Sequence, residues 1–189
     1  MPALINPSEA ASDGDSPGSE PSEPPQPDQP SGGGQLEIYD RTRRLRADEI
    51  ELLQDGLTRL MTRIETRCVR FTVEIVDDAR MGLLHQRWHG DPSTTDVLTF
   101  PMSGPGEPID ADVACCLDEA ERRADSFGHD RARELVLYAL HGLLHVIGHD
   151  DRDEDSFRRM HAEEDRLLES VGLGALFKPH ADSNEEDDS

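Results

Sequence analysis

The run His141-Gly142-Leu143-Leu144-His145-Val146-Ile147-Gly148-His149-Asp150-Asp151 constrains what this chain can fold into more than any other stretch. Two imidazoles stand four residues apart inside an apolar segment. On an α-helix such residues share one face, about 6 Å apart at Cβ, and can converge on one metal ion. Leu135, Val136, Leu140, Leu143, Leu144, Val146 and Ile147 make the segment apolar nearly all round, which predicts a buried central helix. Buried imidazoles need partners. Gly148 comes one turn after His145, where a helix often ends in the left-handed conformation that Gly adopts cheaply. A chain that turns there brings Asp151 back towards the pair as a third ligand. Two imidazoles, one carboxylate and an open fourth position form a recognised catalytic zinc arrangement. His149 competes for the third place, but only if the helix runs on through Gly148. A satisfied core pair of histidines is the plainer reading of the same residues.

Composition bounds the rest. Net charge is −22 over 189 residues, unevenly spread. Residues 1–34 hold six acidic and no basic side chains, and residues 178–189 five acidic and one basic, which leaves −12 on residues 35–177. An acidic body argues against binding duplex DNA through many phosphates. Residues 1–34, with eight Pro and five Gly, cannot bury enough surface to offset chain entropy. They are expected to be disordered, as is 178–189, with one domain over 35–177. No apolar run reaches the length of a membrane span, and Met1–Asn6 lacks the basic start and apolar core of a signal peptide. The expectation is a cytoplasmic protein that binds no membrane. Cys68, Cys115 and Cys116 form no C-x-x-C and read as reduced structural thiols.

Periodicity predicts strands at Gln35–Tyr39, Val69–Ile75, Thr95–Phe100 and Asp112–Cys116. Helices are expected after an Asp48 N-cap, after Asp77 or Asp78, from Leu117 to Ser126, from an Asp130 cap to about Ile147, and from Glu154 to Leu168. Four strands among about five helices argue an α+β fold.

Thr95-Asp96-Val97-Leu98-Thr99-Phe100-Pro101, then Ala111-Asp112-Val113, Phe127-Gly128-His129, Arg133-Glu134-Leu135 and the His141 run follow one another in the order and spacing of the YbeY family, which the chain resembles over about residues 70–170. The resemblance implies a four-stranded mixed sheet with a helix carrying the metal ligands. It also implies a zinc-dependent, single-strand-specific endoribonuclease acting in rRNA maturation, at the 3′ end of small-subunit rRNA, and in ribosome quality control. Its partners would be an rRNA precursor and the ribosome or small-subunit assembly proteins. His141, His145 and Asp151 would hold one zinc ion. The family's third ligand is usually His, where this chain has Asp151. Its Asn and Arg ahead of Thr-Asp-Val-Leu are His85 and His89 here, so His89 joins His141 and His145 as a candidate catalytic residue.

Two other functions fit the same run. A zinc protease places a Glu general base directly after the first His. Here that residue is Gly142, and Glu134, the nearest acidic residue on the same helical face, lies about 10 Å away along the axis. A ribosome-assembly module with a fully ligated structural metal is the non-enzymatic alternative. Trp88 reads as a core residue before it reads as an RNA-stacking platform. His129 is either a second-layer group or an ordinary turn residue. Arg41, Arg43, Arg44 and Arg46 are the densest basic cluster, a solvated face or a phosphate contact.

Overall fold

The computed structural model describes residues 34–174. The expected tails at 1–34 and 178–189 lie outside the described residues, apart from Gly34.

Strands β1 (Gln35–Asp40), β2 (Cys68–Val76), β3 (Val97–Pro101) and β4 (Ile109–Cys116) form one sheet in the order β1-β2-β4-β3. β1 and β4 run parallel to β2, and β3 runs antiparallel to β4. The mixed sheet follows from the connections. Helix α1 (Ala47–Met61) carries the chain from β1 back to a parallel β2, and α2 (Asp78–His89) begins the return towards β3. A short loop then reverses β3 into β4. Helices α3 (Leu117–Phe127), α4 (Arg131–Val146) and α5 (Glu154–Ser170) complete the α+β domain.

Alternation along the strands divides the side chains between two faces. Phe71, Val73 and Ile75 of β2 and Ile109, Ala111, Val113 and Cys115 of β4 join the main core with α1 and α4. Ala114 and Cys116 turn to the other face, under Met81 of α2. α4 is the central element, with Leu135, Val136, Ala139, Leu140, Leu143 and Leu144 fully buried. Its N-terminus is capped by Asp130, whose carboxylate accepts from the Ala132 N–H at 2.7 Å. Arg131 beside the cap ties it to α1 through Glu49 and to α3 through Glu121. Burial holds the Cys115 thiol well above its usual range and pushes Cys116 up to about 12, as expected of structural thiols.

The elements depart from expectation at three places. α1 starts after Arg46, not Asp48, because the Glu49 carboxylate accepts the Arg46 N–H at 2.7 Å and fixes the helix start two residues earlier. β4 begins at Ile109 rather than Asp112, because Arg70 of β2 pairs with both Asp110 and Asp112 and lets two carboxylates lie in the ladder. Pro101 ends β3 from within, as its final residue, which an edge strand allows. Trp88 is not in the core. It is 58% exposed on the outer side of α2, tilted against Phe100 and beneath the Arg87 guanidinium. The basic cluster at residues 41–46 is largely matched: Arg41 pairs with Glu74, Arg44 with Asp118 and Glu121, and Arg46 with Asp48 and Glu49. Among the described residues no helix is long and apolar enough to cross a membrane.

Candidate metal centre

α4 ends where the Gly148 backbone turns left-handed, at φ 99°. The Gly148 N–H donates to the His145 carbonyl and the His149 N–H to the Leu144 carbonyl, so the last turn is closed by backbone alone. The chain then doubles back. Asp150 accepts from the Asp151 N–H at 3.0 Å and is clamped by Arg152, which holds its carboxyl down at about 2. This turn delivers Asp151 to the imidazole pair. His149 contributes its carbonyl to the site, accepting from His145 Nδ1 at 3.1 Å, and its ring is not one of the converging groups.

His141, His145 and Asp151 are brought together with one ligand atom from each within 4.8 Å of the others. His141 Nε2 lies 3.0 Å from His145 Nε2, and Asp151 Oδ2 lies 3.6 and 3.7 Å from the two nitrogens. Tetrahedral bonds of about 2.0–2.1 Å set ligand atoms about 3.3–3.4 Å apart, which these three separations bracket. The tautomers point the same way. His141 Nδ1 donates to Glu164 Oε1 at 2.7 Å and His145 Nδ1 to the His149 carbonyl, so each ring in its neutral form presents its Nε2 lone pair to the other. With both rings neutral, two lone pairs and a carboxylate oxygen face one another, an arrangement relieved by a metal ion or by a proton shared over the 3.0 Å between the Nε2 atoms. The donor set therefore fits a zinc-like ion. Burial would lower the His141 pKa, but the hydrogen bond and charge of Glu164, with the charges of Asp96 and Asp151, outweigh it and raise it.

Beside His145 a cavity of about 370 Å³ opens between the end of α4 and the β3–β4 loop, lined by Thr99, Pro101, Ser103, Pro105 and Ile147 among others. Of the three converging residues, His145 is the one that lines it. Gly142 is pressed against the sheet. A Cβ there would lie 2.7 Å from Thr99 Oγ1 and 2.9 Å from Val113 Cγ1, so the position after the first His looks into the sheet and has no room for a general base. Glu134 is held by His129 instead, which gives both residues a role at the start of α4. Asp96 opens β3 by accepting from the Val97 N–H and the Thr95 hydroxyl, both at 2.9 Å. His85 and His89 lie at the far end of α2, their rings 5.3 Å apart, with His85 Nδ1 2.9 Å from the Ser93 carbonyl oxygen. His89 is exposed and is not a member of the converging group.

Sequence reasoning missed Glu164 and His161. Glu164 is fully buried and places its two oxygens on His141 Nδ1 and His161 Nδ1, at 2.7 and 2.5 Å.

Two helix-borne imidazoles and a loop carboxylate beside a four-stranded mixed sheet are the setting in which the comparisons with known proteins fall. The family model described as Endoribonuclease YbeY matches residues 36–172. The chain belongs to the endoribonuclease YbeY family. It is 30% identical to Endoribonuclease YbeY of Geobacillus thermodenitrificans over 152 residues, covering 74% of this chain and 97% of that one. It is 33% identical to that of Micrococcus luteus over 140 residues, covering 67% and 89%. The match to Endoribonuclease YbeY of Mycobacterium tuberculosis H37Rv is 35% over 113 residues, 54% of this chain and 64% of the relative's length. In structure the chain is similar to TM1509 from Thermotoga maritima, with a TM-score of 0.50 and 22% identity over 72% of this chain and 91% of that one. That likeness bears on the fold.

Proposed function

We propose that this protein is a zinc-dependent endoribonuclease that cleaves single-stranded RNA, with rRNA precursors at the small-subunit 3′ end as substrate and a cytoplasmic location beside the ribosome. The observation that carries the reading is the convergence of His141 Nε2, His145 Nε2 and Asp151 Oδ2 next to an open cavity. A bound zinc ion supplies a hydroxide near neutral pH by lowering the pKa of its water towards about 7, and offsets charge on a phosphate. The chain supplies the rest. His141 and His145 hold their lone pairs inward through the hydrogen bonds at their opposite nitrogens. Asp151 contributes a negative ligand, which tempers the positive charge of the centre relative to three imidazoles. The cavity beside His145 gives a single strand room to lie with a phosphate against the ligands. His89, at the exposed end of α2, is proposed as a phosphate contact outside the ligand set.

The closed space at Gly142 weighs against peptide hydrolysis, which needs a base at that place. Three chain ligands beside an open cavity weigh against a purely structural metal.

The acidic surface repels RNA, so cleavage of naked RNA is slow, falls with added salt, and improves when a ribosomal partner presents the strand. The test compares wild type with His141→Ala on single-stranded RNA, duplex RNA and casein, with and without chelator. The expected result is chelator-sensitive cleavage of the single strand that His141→Ala abolishes. RNA cleavage that survives both treatments, or chelator-sensitive proteolysis, would overturn the proposal.

A further inference from the structure

We propose that Glu164 is a positioning residue for the metal site, holding His141 in its ligating tautomer, and that His161 locks Glu164 in place. The inference rests on the reading of His141 as a metal ligand and deepens it.

Glu164 sits on α5 with no exposed surface, 23 positions beyond His141. A carboxylate removed from water is costly unless its oxygens are hydrogen-bonded. Here both oxygens end on imidazole nitrogens: Oε1 lies 2.7 Å from His141 Nδ1 and Oε2 2.5 Å from His161 Nδ1. An ionised carboxylate only accepts, so both rings must carry their proton on Nδ1. For His141 that leaves Nε2 bare and aimed at His145 Nε2 and Asp151 Oδ2. The same bond stops the ring from turning about its own axis. A carboxylate behind a ligating imidazole also makes that ring more basic towards a metal.

His161 gives Glu164 its second anchor. With one oxygen on each ring, the carboxylate is held from two sides. The rings of His161 and His141 are stacked, 6.4 Å between centroids, and Phe157 packs edge-on against His161 at 4.1 Å. A divalent ion among two neutral imidazoles, Asp151 and Glu164 also carries no net charge, which suits a half-buried place. α5 is therefore part of the site, although it contributes no ligand.

The test uses the full chain and Zn²⁺ as probe. Zinc affinity is measured by competition with a chromophoric chelator for wild type, Glu164→Gln, His161→Phe and the double variant. The tautomer of His141 is read by ¹⁵N NMR in metal-free protein. Gln has one accepting and one donating end, so it cannot accept from both rings. Glu164→Gln should lower zinc affinity 10- to 100-fold, the range seen when such outer partners are removed. His161→Phe should cost less, and the double variant no more than Glu164→Gln alone, because the two act on one bond. In wild type, His141 should be protonated at Nδ1. A folded Glu164→Gln that binds zinc within twofold of wild type overturns the proposal while leaving the metal site standing. If that variant does not fold, the wild-type tautomer decides at a pH where His141 is neutral: a ring protonated at Nε2 and bare at Nδ1 overturns the proposal. A wild type that binds no zinc removes both the site and its positioning residue.

Discussion

Gly142→Ala tests how tightly the ligand helix is pressed on the sheet. The added Cβ would meet Thr99 Oγ1 at 2.7 Å, Val113 Cγ1 at 2.9 Å and Val97 Cγ2 at 3.5 Å. Carbon atoms rest about 3.5–4.0 Å apart, so Val113 or α4 must yield by about 0.6 Å. Thr99 can turn its hydroxyl aside. Val113 is buried between α4 and the sheet and has nowhere to go. Overpacking of this kind costs about 1–3 kcal/mol. Replacing Gly by Ala inside a helix returns about 1 kcal/mol. The expected net loss is about 0–2 kcal/mol, a fall in Tm of up to roughly 8 °C for a domain of this size. The assay is thermal unfolding of four proteins: wild type, Gly142→Ala, Val113→Ala and the double variant. With the Val113 methyls gone, Gly142→Ala should become neutral or stabilising by up to about 1 kcal/mol. A Tm raised equally by Gly142→Ala in both backgrounds would refute the close approach. The same geometry predicts that Gly142→Glu unfolds the domain instead of creating a protease.

Glu49 is 2% exposed and accepts two hydrogen bonds from Arg131, at 2.8 and 2.9 Å; these bonds lead the causes that hold its pKa below the usual 4.5. A depressed carboxyl contributes stability that is complete above its unfolded value and is lost as pH falls through the folded one. Wild type should therefore lose Tm below about pH 4.5 more steeply than Glu49→Gln, which should already be about 1–3 kcal/mol less stable at pH 7; parallel pH profiles would refute this. Asp151→His should keep or tighten zinc binding, because the turn after Gly148 already delivers this position to the imidazole pair. A large loss of zinc with the circular dichroism unchanged would mean residue 151 is not a ligand.

The parts of the site that lie close in sequence were legible there. The i,i+4 spacing of His141 and His145, the break at Gly148 and the return at Asp151 are local rules of helix geometry, and in the structure these three side chains do converge. Glu164 was not legible. It lies within Glu163-Glu164-Asp165 on an amphipathic helix, and the residues alone do not say which of three acids turns inward. Only the packing of α5 on α4 selects it. Trp88 was misread for a related reason. An aromatic at the end of a helix is core only if that face is covered, and α2 buries Met81 alone among its residues. The strand pattern of Phe71, Val73 and Ile75 survived because both neighbours of β2 are strands. The start of β4 did not, because the two aspartates that spoil its pattern are neutralised by Arg70, some forty residues earlier.

The three converging side chains lie within eleven consecutive residues, and Glu164, bonded to His141, is only 23 positions beyond it. Closing so short a loop costs little chain entropy. The unfolded polypeptide therefore keeps His141, His145, His149, Asp150 and Asp151 near enough to chelate zinc without the sheet. An ion stabilises a fold only to the extent that it prefers the folded chain over the unfolded one. Zinc should thus raise the melting temperature by less than its native-state affinity implies, and the difference measures how much of the centre is built by the sheet and α5 and how much by the peptide itself.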